Sequence, residues 1–180
     1  MAVFALDVET ASGEKGSICA LGLCRITEHG IETVMNTLCD PQTLFDARCI
    51  AVHGILPRDV IGAPTLDTVL TQLFGYIENA TVAAHNAPFD FSHIRAAAAQ
   101  RGIPVPSFTQ VCTVRLARKT FPGRKSYALA ALADLVPFPF VHHDACEDAR
   151  ACAAIYRACE REARISAMAA QIAAQIAKKR

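Results

Sequence analysis

The chain has 180 residues, 52% of them hydrophobic and 19% charged, with eight cysteines, no tryptophan and a formal net charge of +1. A disordered chain would carry far fewer apolar residues, and a membrane span would need about twenty of them in succession. A charge so close to neutral gives no global attraction to nucleic acid, so any polyanion site must be local.

In chain order, Val3–Val8 predicts a strand, and 18–26 and 31–38 predict two more, joined by a hairpin-like turn at Glu28, His29 and Gly30. The 46–62 stretch is irregular or short-helical. Apolar residues at Leu66, Val69, Leu70, Leu73, Phe74 and Ile77 predict a helix over 65–77. A short buried strand follows at 81–84, then a helix over 88–100, stopped by Gly102 and Pro104. Helices are expected over 111–119 and 127–135, on either side of a turn at Pro122 and Gly123. The last helix opens near Ala145 and meets no glycine or proline afterwards. No repeat or linker divides the chain, and a mixed sheet flanked by helices is the expected α/β architecture.

The cysteines at 19, 24, 39, 49, 112, 146, 152 and 159 contain no C-x-x-C pair, which excludes the spacing of a zinc ribbon or a thioredoxin-like site. They read as small buried hydrophobes. Met1–Leu6 is apolar, but Asp7 and Glu9 follow at once and the first lysine is Lys15, the wrong order for a secretory signal. A cytoplasmic protein without membrane contact is expected.

Three acidic features stand out. Asp7 and Glu9 lie two apart at the end of an apolar strand, so strand periodicity puts both on one face. Two like charges on a buried strand are costly unless a cation or a shared proton compensates; in an exposed loop, or paired with Lys or Arg, they would be ordinary. Asp90 follows the short strand, in the first turn of a helix marked by Pro88, where the helix dipole alone already favours an acid. In HHDACEDARA (142–151), Asp144 and Glu147 have capping-box spacing, which leaves His143 outside the helix and Asp148 one turn inside it. A histidine five residues before an acid on one continuous helix would point about 140° away, whereas one in the preceding loop can fold back over the first turn. An exposed His-rich turn before an ordinary helix is the alternative. Taken together, oxygen ligands at strand ends and helix starts, without Cys or His at zinc spacing, suit Mg²⁺ or Mn²⁺ and a two-metal phosphodiester hydrolase.

FALDVET, HNAPFD and HHDACEDA, in this order and spacing, resemble the three exonuclease motifs of the DEDD superfamily. Position 144, four before the last acid, is Asp rather than Tyr. The resemblance is therefore to the histidine subclass, which includes the proofreading epsilon subunit of bacterial DNA polymerase III, ribonuclease T and oligoribonuclease. SICALG, AVHGI and RLARKTFPGRKSYALAALAD resemble its connecting segments, and the likeness covers about residues 3–160.

The resemblance implies a ribonuclease H-like fold with a five-stranded mixed sheet flanked by helices, an exonuclease domain over 1–162 and a helical extension over 163–180. It implies 3′-to-5′ exonuclease activity on DNA or RNA, releasing nucleoside 5′-monophosphates. Asp7, Glu9, Asp90 and Asp148 would hold two Mg²⁺ ions, for which Mn²⁺ can substitute, and His143 would be the general base, its rate rising with pH through its own pKa. Thr10, Ala11, His53, Asn86 and Phe89 are candidate substrate contacts, with Phe89 and His53 equally at home in a core or a satisfied loop. His142 reads as a bystander, and His29, His85 and His93 have no motif support.

Arg115, Arg118, Lys119, Arg124 and Lys125, with Phe121 and Tyr127 nearby, suit either a strand-tracking groove for single-stranded or 3′-terminal nucleic acid or a solvated helix face. Ile165, Met168, Ile172 and Ile176 form an apolar stripe, followed by Lys178, Lys179 and Arg180 at the helix end. The stripe is expected to pack on its own domain or to pair with a second copy, a DNA polymerase subunit being the other partner weighed. A non-catalytic nucleic-acid-binding or polymerase-associated module that keeps the fold is the alternative function; the full set of acids with His143 argues against it.

Overall fold

The computed structural model describes residues 1–178. Lys179 and Arg180, expected to complement the end of the last helix, lie outside the described residues. Strands β1 (Val3–Thr10), β2 (Ile18–Ile26) and β3 (Ile31–Leu38) form an antiparallel meander. The chain then runs through α1 (Ala47–His53), a 3-10 turn at Pro57–Val60 and α2 (Leu66–Ile77) to β4 (Thr81–Ala84), which pairs parallel with β1. After α3 (Pro88–Gln100), β5 (Thr109–Cys112) adds in parallel at the far edge, followed by α4 (Thr113–Thr120), α5 (Leu129–Ala133) and α6 (Ala145–Lys178). The sheet order is β3-β2-β1-β4-β5.

The two sheet faces pack differently. Phe4, Leu6 and Val8 on β1 face α2 and α3, whose Leu70, Leu73, Ile77, Phe91 and Ile94 complete one core. On the opposite face the central strands β1 and β4 present the small Ala5 and Ala83, with Ile26, Ile31 and Val111 around them, and a second core forms against Leu129, Leu132, Cys152 and Ile155. Small sheet residues let α6 lie close. Gly22 takes this furthest, since a Cβ there would run into the backbone of Ala145 and Cys146. Gly22 also stands opposite Asp7 across the β1–β2 ladder, so the close approach brings the first turn of α6 beside the end of β1.

Four expectations change. β1 continues two residues past Val8, to Thr10, beside a register shift. The helix expected over 111–119 is divided between β5 and α4. The helix expected over 127–135 shrinks to Leu129–Ala133, because Ala128 is extended (ψ 153°) and its N–H is taken by the Ser126 hydroxyl. Finally, α6 runs unbroken through residue 163 with Ile165, Met168, Ile172 and Ile176 all more than half exposed, so the stripe does not pack on its own domain. No described helix is long and apolar enough to cross a membrane.

Candidate active site

Strand β1 outruns its neighbour. Pairing with β4 ends at Leu6 opposite Ala84, so the Val8 N–H lies beyond the ladder, and it donates to Asp90 Oδ1 at 3.3 Å. Pro88 and Phe89 start α3, and Asp90 in its first turn is held 1% exposed. Its second oxygen, Oδ2, is buried without a hydrogen-bond partner. Asp7 and Glu9 continue the face that Ala5 presents to α6, where Asp148 sits 4% exposed in the first turn. One oxygen from each of Asp7, Glu9 and Asp148 lies within 4.8 Å of the others.

The cap of α6 forms as expected on one side only. Asp144 Oδ1 accepts from the N–H groups of Cys146 and Glu147, both at 3.0 Å, while the Glu147 carboxylate turns to Arg150 at 3.6 Å instead of closing the box. The residues before the cap fold back over the helix. The His143 N–H donates to Asp148 Oδ2 at 3.1 Å, and His143 adopts a left-handed backbone, φ 66°. Asn86, φ 62°, is the other left-handed residue of the site. His142 is no bystander: its Nδ1 lies 3.1 Å from both Asp148 oxygens and its ring stacks on that of His143, centroids 3.9 Å apart. Asp7, Glu9, Asn86, His142, His143 and Asp148, with Val52, Phe89, Val114 and Tyr127, line a cleft of about 450 Å³.

The remaining candidates divide. Asn86 and Phe89 line the cleft, and Phe89 is 43% exposed, its ring tilted against that of His93 with centroids 4.6 Å apart. Ala11 is fully buried with both backbone groups engaged: its N–H donates to Ser17 O and its carbonyl accepts from Asp46 N–H, each at 2.7 Å. It offers nothing to a ligand. Thr10 is buried, and its carbonyl accepts from His53 Nε2 at 3.1 Å, while His53 Nδ1 accepts from Ile55 N–H at 3.0 Å. His53 is thus a latch between α1 and β1, with both nitrogens used and its pKa lowered by burial. His85, which had no motif, lines the cleft and joins Thr113 Oγ1 (2.9 Å) to the Tyr127 carbonyl (3.1 Å).

Burial raises every carboxyl pKa in the group, and repulsion between the acids adds to it at Asp7, Glu9 and Asp90. Burial first, then Asp148, Asp90 and Asp144, push Glu9 from its ordinary 4.5 to about 8. Asp90 rises from 3.8 to about 7, chiefly through burial and against the lowering effect of its backbone N–H bonds. Asp7 rises through burial and then the charges of Asp90, Asp148 and Glu9; Asp148 rises through burial, opposed by His142. Clustered acids that resist ionisation, one with an orphaned buried oxygen, are the donor set of a hard divalent cation. The four acids fit such an ion.

A stability signature follows. An acid whose folded pKa is raised keeps its proton where the unfolded chain has lost it, so metal-free stability falls as pH rises from about 4 through about 8. Calorimetry without divalent ions should show Tm several degrees lower at pH 8.5 than at pH 5.5, with Mg²⁺ at pH 8.5 recovering most of the difference. A flat profile counts against the cluster.

Residues 4–156 match the Exonuclease family. The DNA polymerase III PolC-type of Caldanaerobacter subterraneus subsp. tengcongensis is 30% identical over 86% of this chain and 11% of its own length. The DNA polymerase III subunit epsilon of Escherichia coli (strain K12) is 32% identical over 66% of this chain and 51% of its own. The chain therefore spans about half or less of these curated relatives. Among solved structures, Exonuclease X, in complex with 5′ overhanging duplex DNA, superposes with TM-score 0.71 at 24% identity, covering 88% of this chain and 91% of that one. The nuclease domain of 3′hExo, a DEDDh family member, gives TM-score 0.69 at 14% identity over 86% and 89%. The five-stranded sheet is the ribonuclease H-like fold of these neighbours. With its three motif segments brought to one cleft and most of its length matched, the chain belongs to the Exonuclease family.

Proposed function

We propose that the chain is a metal-dependent 3′-to-5′ exonuclease that hydrolyses the terminal phosphodiester of DNA or RNA and releases nucleoside 5′-monophosphates. The convergence of Asp7, Glu9 and Asp148 beside the unpartnered oxygen of Asp90 carries this reading. Asp7, Glu9 and Asp148 would hold one Mg²⁺ or Mn²⁺ ion, and Asp7 with Asp90 would hold a second. Such ions would supply positive charge to offset an anionic phosphate and to acidify a water. His143, exposed at the mouth beside Asp148, takes the proton of that water. Phe89 offers a ring face to a base and Asn86 a side-chain amide, with Val52 and Tyr127 also in the cleft wall.

Arg115, Arg118, Lys119, Arg124 and Lys125 are all exposed, next to the Val114–Leu129 wall. Arg118 lies over the Tyr127 ring (5.5 Å) and Arg124 over that of Phe121 (5.9 Å), which fixes two cations on aromatic faces. We assign the nucleic-acid backbone to this side. Replacing Arg118, Arg124 and Lys125 together by alanine should raise KM about tenfold and make the salt dependence shallower by about two to three units, with kcat little changed. An unchanged salt slope removes the segment from the interface. The exposed stripe of α6 is the surface we assign to a protein contact, with a polymerase subunit or with a second copy.

The test of the activity is digestion of 5′-labelled single-stranded DNA and RNA with Mg²⁺ or Mn²⁺. A ladder shortening from the 3′ end, with 5′-mononucleotides released, is expected on at least one substrate. Internal nicking, or no digestion with either ion, overturns the reading.

A further inference from the structure

We infer that the cleft also contains a second metal site, built for a borderline-soft divalent ion of the Zn²⁺ class, from His142, His143 and Asp148. One ligand atom of each lies within 4.8 Å of the others, and His142 Nδ1 is already 3.1 Å from Asp148. Donors around a tetrahedral zinc stand about 3.3 Å apart, so the donor atoms need approach one another by no more than about 1.5 Å. Both histidines are exposed, with the left-handed turn at His143 holding their rings parallel, within 10°, in front of the helix. Asp148 is almost wholly buried, and its backbone is locked by the 2.8 Å bond from its N–H to the Asp144 carbonyl. Two exposed imidazoles over one fixed carboxylate leave at least one coordination position open to water.

The chemistry separates this set from the all-oxygen group of Asp7, Glu9 and Asp148. Imidazole nitrogen suits Zn²⁺, Ni²⁺ or Cu²⁺, whereas carboxylate oxygens suit Mg²⁺ and Mn²⁺. The two sets share Asp148 and nothing else, so they cannot both be filled by independent ions. A zinc-class ion takes Asp148 away from the acidic group and occupies the imidazole of His143. On the proposed function, which this consequence rests upon, such an ion switches digestion off in competition with Mg²⁺. The buried cysteines do not offer an alternative: burial pushes the thiols of Cys24 and Cys39 up to about 12, and Cys146, between the two motif residues, turns towards Thr33 Oγ1 at 3.6 Å.

The binding is measured on the intact protein without nucleic acid, by competition for Zn²⁺ against a chromophoric chelator in excess Mg²⁺. His142→Ala and His143→Ala should each weaken Zn²⁺ binding at least about tenfold, the surface control His29→Ala should leave it within about twofold, and Asp7→Asn, which removes the competing Mg²⁺, should leave it equal or tighter. Unchanged zinc affinity in either cleft-histidine variant overturns the site. So does a loss in Asp7→Asn as large as in His142→Ala, which would put the ion among the acids. Because no substrate is present, a protein that binds zinc in this pattern yet digests nothing refutes the exonuclease reading and not the site. Added Zn²⁺ should also raise the Mg²⁺ concentration needed for half-maximal digestion.

Discussion

Asp7→Asn should lower cation-dependent digestion by about 10³-fold or more while making the metal-free protein more stable at pH 8. Asp7 stands between Asp90, Asp148 and Glu9, and each of these charges works against its ionisation. An amide of the same shape removes a repelled charge without opening a cavity, so the folded state gains where the cluster had been held together at a cost. The same change removes the one carboxylate assigned to both ions. Opposite signs for activity and stability distinguish a ligand from a structural residue, which would lose both. Nuclease assays with Mg²⁺ and melting curves without it are the two measurements. Residual activity within tenfold of the parent, or a lower Tm, refutes the role given to Asp7.

Gly22→Ala should be the most damaging small substitution away from the acids. The added methyl meets the backbone of Ala145 and Cys146, which cannot rotate away as a side chain can. Helix α6 must shift as a body, at about 3 kcal/mol or more, equivalent to roughly 6–12 °C in Tm. Asp148 moves with it, away from Asp7 across the ladder from Gly22. Digestion should therefore fall by more than the unfolded fraction explains, and the Mg²⁺ requirement should rise. Gly30→Ala, at a position with nothing within 4 Å, is the control and should change neither. Wild-type Tm in Gly22→Ala would mean that α6 does not rest on β2 this closely.

Much of the fold is legible because the apolar periodicity is strong where both partners are buried. The bounds of β2, β3, β4 and α3 fall where alternation, β-branching and Pro88 or Gly102 put them. β5 is hidden because it is a four-residue edge strand with two exposed residues, so its sequence carries no alternation and merges with the helix after it. The three acidic segments are legible by spacing, and the structure gathers them at one strand end. The tandem histidines are less so. Which of two adjacent rings touches Asp148 depends on a left-handed residue that sequence does not announce, and the His142 ring makes the contact while His143 contributes its backbone N–H. The surroundings of Ala11 and His53 are hidden for a similar reason: their polar groups are engaged by tertiary hydrogen bonds that no local pattern encodes.

The uninterrupted α6 has a consequence in its winding. At 100° and 1.5 Å per residue, Ile172 lies ~36 Å along the rod from Asp148 and about 240° around it, with Ile165, Met168 and Ile176 clustered near the same azimuth. The side of the helix that carries Asp148 and the side that carries the exposed stripe are thus out of phase by about 120°, at opposite ends of one helix. A protein seated on that stripe, as proposed, would therefore stand well clear of the cleft beside Asp148.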